Sequence, residues 1–127
     1  MTFHDLHEYC SAKPGVEETF PFGEDVLVFK VAGKMFALTN LSTLPLTVNL
    51  KCDPERAVQL RERYAAVQPG YHMNKTHWNT VEIDGSIDSG EIFGWIDDSY
   101  DLVVRSLKRA DREALQSISE TRGREGP

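Results

Sequence analysis

Apolar residues recur along the chain with two periods, and the switches between them mark out the elements. Phe3, Leu6 and Cys10 lie three and four apart, the spacing of one helix face, and predict a short helix over residues 2–11. Thr2 can cap it, with Asp5 placed to complete a capping box. Lys13-Pro14-Gly15 ends it, because proline lacks an amide hydrogen and restricts the residue before it. The period then becomes two. Residues 16–22 predict an edge strand finishing in Pro21-Phe22-Gly23. Residues 26–31 and 34–38 predict a hairpin around Ala32-Gly33. With Val31 opposite Lys34, Phe29 would face Phe36 and Leu27 would face Leu38, all on the core side. Val26, Val28, Lys30, Met35 and Ala37 would then line an open side. After a loop over residues 40–45, Leu46, Val48 and Leu50 alternate with Thr47, Asn49 and Lys51 as a further strand.

Asp53-Pro54-Glu55 opens a helix that runs to about Ala65. Ala57, Leu60 and Tyr64 form its buried stripe, and Arg56, Arg61, Glu62 and Arg63 its solvated side. Residues 78–83 predict a strand stopped by Asp84-Gly85. If Val81 and Ile83 point to the core, Trp78 points to the open face. Asp88 and Glu91 have capping-box spacing before a helix from Ser89 to about Leu107, lined by Ile92, Ile96, Ser99, Val103 and Leu107, with Trp95 at the core edge. Beyond Ala110 the apolar period fades. The pattern therefore predicts an α+β fold, an antiparallel sheet with helices packed on one face. One domain spans residues 1–110, and residues 111–127 form a C-terminal extension ending in a flexible tail.

A length of 127 residues suits a single domain that buries a core without metals or disulfides. Cys10 and Cys52 sit in apolar company and are expected to be buried free thiols. No apolar run approaches the roughly 20 residues of a membrane helix, and the N-terminus lacks a signal-peptide pattern, so a cytoplasmic location and no membrane contact are expected. The charge balance, 14 basic against 20 acidic residues and a net −6, changes the picture for partners. Any nucleic-acid footprint must be local, because the overall field opposes it.

Against that acidic background one stretch differs. Pro69-Gly70-Tyr71-His72-Met73-Asn74-Lys75-Thr76-His77-Trp78-Asn79 concentrates aromatics, amides, imidazoles and an ammonium without a carboxylate. Lys30, Lys34, Asn49 and Lys51 could join Tyr71, His72, Asn74, Lys75, His77 and Trp78 on or beside the open sheet face. Lysines would neutralise phosphates, and Trp78 or Tyr71 could stack on an unpaired base. The same groups suit a carboxylate or phosphate ligand against an aromatic wall. His4 and His7 share a helix side at i, i+3, a spacing that permits two metal ligands but is better read as exposed surface. The acids Glu17, Glu18, Asp97, Asp98 and Asp101 are scattered and read as solvated, so no metal and no cofactor is expected. His72 and His77 are the candidates for acid–base chemistry. No nucleophile elbow or Gly-rich phosphate loop accompanies them, and no catalytic residue is assigned.

Several blocks carry a resemblance. Lys13-Pro14-Gly15, Pro21-Phe22-Gly23, Gly33-Lys34-Met35-Phe36-Ala37, Leu50-Lys51-Cys52-Asp53-Pro54, Tyr71-His72-Met73-Asn74-Lys75 with His77-Trp78, and Ser99-Tyr100 with Leu102-Val103 look like successive blocks of the YjbR/MmcQ family. The match runs over residues 1–108. The resemblance implies a CyaY-like, or frataxin-like, two-layer sandwich. It also implies DNA binding through a proposed double-wing arrangement of sheet and loops. The expectation is therefore a small non-enzymatic protein that binds DNA weakly and salt-sensitively through the open sheet face and the Tyr71–Asn79 block. The alternative is a small-molecule or anion-binding protein. Either would be a monomer or weak dimer.

Overall fold

The capping box at Thr2 forms as the sequence predicts: Thr2 Oγ1 accepts from the Asp5 amide at 3.2 Å, and the Thr2 amide donates to Asp5 Oδ2 at 2.8 Å. It starts helix α1 (Phe3–Ser11), which buries Leu6 and Cys10. The structure is a computed structural model; it describes the chain except Tyr71, His72, Gly126, Pro127 and the side chains of residues 120–125. Six strands follow the pattern of the chain: β1 (Val16–Thr19), β2 (Val26–Val31), β3 (Lys34–Asn40), β4 (Thr47–Lys51), β5 (Val67–Pro69) and β6 (Trp78–Glu82). They form one sheet in the order β1-β2-β3-β4-β6-β5, with every pair antiparallel. β5 is too short to show a period in sequence. Its Pro69 sits on an outer strand, where a missing amide hydrogen breaks no ladder.

The hairpin tip pairs as predicted, Val31 with Lys34 and Lys30 with Met35, but a bulge then shifts the register. Phe29 lies opposite Ala37, not Phe36, and Leu27 opposite Thr39, not Leu38. The extra residue keeps Phe36 in the core and turns Ala37 inward beside it. Leu38 moves to the outer face, where it packs with Val28. A one-residue shift exchanges faces in this way because strand side chains alternate.

Helices α2 (Pro54–Arg63) and α3 (Ser89–Arg105) join α1 over the inner face. Asp53 caps α2, its Oδ1 accepting from the amides of Glu55 and Arg56. At α3 the predicted box is not made: Asp88 stands at the N-cap without a side-chain hydrogen bond. The core gathers Leu6, Leu27, Phe29, Val31, Phe36, Val48, Leu50, Val67 and Val81 against Ile92, Trp95, Ile96 and Val103. Trp95 meets Tyr64 edge-on at 5.3 Å, and Tyr100 meets Phe36 edge-on at the same distance. Both thiols are free and buried.

The stretch that the fading period assigns to an extension forms a fourth helix, α4 (Arg109–Glu125), and it buries Leu115 in the core. A single anchoring position leaves too little periodicity to read. Asp97, expected to be solvated, instead accepts from Tyr9 Oη at 2.8 Å and pairs with Lys13. The Lys13 ammonium lies 5.1 Å and 5.2 Å from the Tyr9 and Tyr100 ring centres. This cluster ties the end of α1 to α3. Among the described residues, no helix is long and apolar enough to cross a membrane.

Candidate functional site

Gly70 begins the polar stretch in a position that only a residue without a Cβ fits, since an added Cβ would lie 2.8 Å from the Trp78 Cβ and 3.0 Å from its carbonyl oxygen. From there the loop folds back on itself. The Gly70 amide donates to the Trp78 carbonyl at 2.9 Å, and Met73 N–H donates to the Gly70 carbonyl at 3.3 Å. Asn74 organises the second half: its Oδ1 accepts from the Thr76 amide at 2.9 Å, and its carbonyl accepts from His77 and Trp78. Lys75 Nζ donates to the Gly70 carbonyl at 3.2 Å. Arg61 reaches from α2 to the Lys75 carbonyl at 2.9 Å, so it is not simply on the solvated side of that helix. His77 presents an exposed ring while its carbonyl accepts from the Cys52 amide at 2.8 Å. Asn74, Lys75 and Arg61 thus satisfy backbone groups that would otherwise be orphaned. Tyr71 and His72 lie outside the described residues.

The register places Trp78 beside Lys51 on the open face, as the alternation predicts. The indole is nevertheless only 8% exposed, packed with Val28 and Leu38 and flanked by Val26, Met35 and Met73. The loop supplies Met73 to this second apolar cluster, so the indole is shielded. The other expected site residues do not form one positive patch. Lys30 is half-buried and sits opposite Glu17 across the β1–β2 pair. Lys34 turns to the helix side, where its Nζ is 3.3 Å from the Ser106 carbonyl and hydroxyl. Asn49 accepts from Thr80 Oγ1 at 2.6 Å. Lys51, Lys75 and His77 remain near the β6 end of the face.

A different cleft opens at the other side of the sheet. It has a volume of about 280 Å³ and is lined by Phe3, His4 and His7 of α1, Glu18 of β1, Phe20, Leu27 and Leu41. Capping places Phe3 and His7 one turn apart on the face of α1 that meets the sheet edge. Their rings lie 5.8 Å apart, and His7 lies 6.0 Å from Phe29. His7 Nε2 contacts Glu18 Oε1 directly. Glu17 and Glu18 therefore point to opposite sides of β1, as a strand demands. The Leu41 amide donates to the Asp25 carbonyl at 2.6 Å and holds the far wall. Phe20 and Leu41 are 51% and 44% exposed, an unusual state for bulky apolar residues that line one concavity. His4 pairs with Glu8 on the helix surface at 3.5 Å. No set of three metal-ligating side chains comes together among the described residues.

The sequence reading of the cleft recovers only His4 and His7, as a helix pair. Phe3, Glu18, Phe20, Leu27 and Leu41 come from separate segments, each with an ordinary local role. The signal that could have marked the place is the aromatic pair Phe20 and Phe22, which carries bulky side chains past the end of an edge strand. The thiols offer no rival chemistry. Burial pushes Cys10 up to about 12 and also raises Cys52, the reverse of an activated nucleophile.

Comparison with known proteins agrees with this architecture. The chain is 36% identical over 118 residues to the uncharacterized protein YjbR of Escherichia coli strain K12, covering 93% of this chain and 100% of that one. It is 38% identical to the uncharacterized protein YbdF of Escherichia coli O157:H7, over 91% of this chain and 98% of the relative. Among solved structures, the Deinococcus radiodurans protein DR2400, described with domain DUF419, superposes with a TM-score of 0.86 at 40% identity, covering 91% of this chain and 88% of that one. A Pseudomonas syringae protein superposes with a TM-score of 0.70 at 28% identity. The family model for YjbR matches residues 11–102, a span from the end of α1 through most of α3 that includes the Gly70 loop, and the chain belongs to the YjbR family.

Proposed function

We propose that this YjbR-family chain is a binding protein for a small molecule, held in the cleft between α1 and the β1–β2 edge. The observation that carries the reading is the cleft itself. A concavity of about 280 Å³ presents four bulky apolar side chains, Phe3, Phe20, Leu27 and Leu41, and one convergent polar pair, His7 and Glu18. Small-molecule sites combine a largely apolar lining with a few placed polar groups. Two buried, unactivated thiols support binding without a covalent step. A thermal-shift screen of single-ring, metabolite-sized compounds tests it. Compounds that bind should raise the melting temperature of the wild type, because a ligand stabilises the state it binds. The effect should disappear in Phe20→Asp, a change at a half-exposed wall that leaves the core intact. Shifts that persist unchanged in that variant would place the ligand elsewhere.

Nucleic-acid binding is the second reading. Its specific support is Lys51, opposite Trp78 on the sheet face, with the exposed His77 just before β6, next to the loop whose Gly70 carbonyl holds Lys75. A fluorescence-anisotropy titration with single- and double-stranded DNA at low salt decides it. A saturable signal that weakens in Lys51→Ala and in high salt is the expected outcome. A signal unaffected by either change would remove this reading.

A further inference from the structure

We propose that the α1–β1 cleft selects a small organic cation with an aromatic or apolar body. The inference rests on the small-molecule reading above and adds the ligand's chemical class. Its basis is the charge around the cleft. Residues 1–30 hold six carboxylates, Asp5, Glu8, Glu17, Glu18, Glu24 and Asp25, against two lysines, Lys13 and Lys30, and Glu17 sits opposite Lys30 on the other side of β1 from Glu18. Lys13 is engaged against Asp97 and the Tyr9 and Tyr100 rings. Among the described residues the carboxylate of Glu18 lines the cleft and no lysine or arginine does, so the lining favours a cation over an anion.

The lining then supplies a seat. Among the described residues, Glu18 is the only carboxylate that lines the cleft. Asp5 is held in the α1 capping box by Thr2, and Glu8 lies beside His4 on the helix surface. The described partner of Glu18 is His7, which meets Oε1, and the Glu18 side chain is 40% exposed, so a ligand's ammonium group can reach its second oxygen. Phe3 and Phe20 offer ring faces on which a cation or an aromatic body can rest. Leu27 and Leu41 close the apolar floor and wall. A volume of about 280 Å³ suits a single ring with a short charged arm.

Three probes of one shape and different charge separate the possibilities: benzylammonium, benzyl alcohol and benzoate. Each is titrated into the full chain at low salt and followed by amide chemical shifts in ¹H–¹⁵N NMR spectra. The expected result is saturable shifts at Phe3, His7, Phe20 and Leu41, with benzylammonium at least about 3-fold tighter than the alcohol and benzoate weakest. In Glu18→Gln the advantage of benzylammonium should vanish while binding of the alcohol persists. That variant separates lost charge recognition from a lost site. Equal affinities for the three probes, or benzoate the tightest, would overturn the cation preference and leave the small-molecule reading standing. Absence of shifts at the cleft with all three would overturn both.

Discussion

Ala32 has φ of +48°, the one non-glycine residue with positive φ among those described, and Gly33 beside it has +80°. The two-residue hairpin turn between β2 and β3 requires this left-handed backbone, because its twist matches that of the strands. An L-residue with a Cβ pays about 1–2 kcal/mol there. Ala32→Gly should relieve the strain, offset in part by the extra freedom that glycine gives the unfolded chain, and raise stability by about 0.5 kcal/mol in urea titration. A loss of stability would show that the alanine methyl makes a contact worth more than the strain. Trp78 teaches a complementary lesson at the same scale. Alternation along β6 places the indole on the open face, and it is there. Whether it meets solvent depended on Met73, five residues earlier in sequence, and no period in the strand could report that.

At the scale of elements, the split between β3 and β4 explains a residue that the helical pattern treats as one more buried position. The two strands pair only at Ala37–Leu50 and Leu38–Asn49. Next to that short ladder, Ser99 of α3 donates from its hydroxyl to the Phe36 carbonyl at 2.6 Å and accepts from the Lys51 amide at 2.9 Å. The hydroxyl replaces the missing ladder bond and ties the helix to both strands. Ser99→Ala should leave a buried carbonyl and amide unpaired and cost about 1–3 kcal/mol. Hydrogen exchange at the Lys51 amide should accelerate in step, and unchanged protection there would argue that the two strands close on each other instead. The stripe containing Ser99 is legible in sequence, but its bonding role is not. The role arises where β3 and β4 stop pairing beyond Ala37–Leu50, which no local signal announces.

Across the whole molecule, the link between α1 and α3 depends on ionisation. Burial and the adjacent Asp97 carboxylate raise Tyr9 to about 12, and burial raises Cys10 to about 12 despite the nearby Lys13 ammonium. A folded pKa above the unfolded one means that folding favours the protonated form. The associated stability is complete at neutral pH, begins to fall once the unfolded chain ionises at about pH 9 to 10, and is lost as pH rises through the folded values near 12. Urea midpoints should therefore drop between pH 9 and 11. Tyr9→Phe keeps the ring that stacks on Phe93 at 4.2 Å and removes the phenol, so its drop should be shallower. Parallel drops in the two proteins would assign the alkaline loss to other groups. A net charge of −6 constrains partners only in general, whereas folding sets Lys13 against Asp97.

The chain's apolar periods, caps and turn residues determined its elements, the α+β class and the assignment of most residues to a sheet face, because these depend on neighbours within a few positions. Thr2, Asp53 and the Ala32-Gly33 turn are legible for that reason. The tertiary structure alone decided which polar residues meet. Lys34 met Ser106, Lys30 came to lie opposite a glutamate, and Asn74 and Lys75 entered the bonding of their own loop. It also drew His7, Glu18, Phe20 and Leu41 from separate segments into one cleft. Concavity and charge convergence are properties of distances between segments remote in sequence, and a one-residue bulge or a single covering side chain is enough to redirect them.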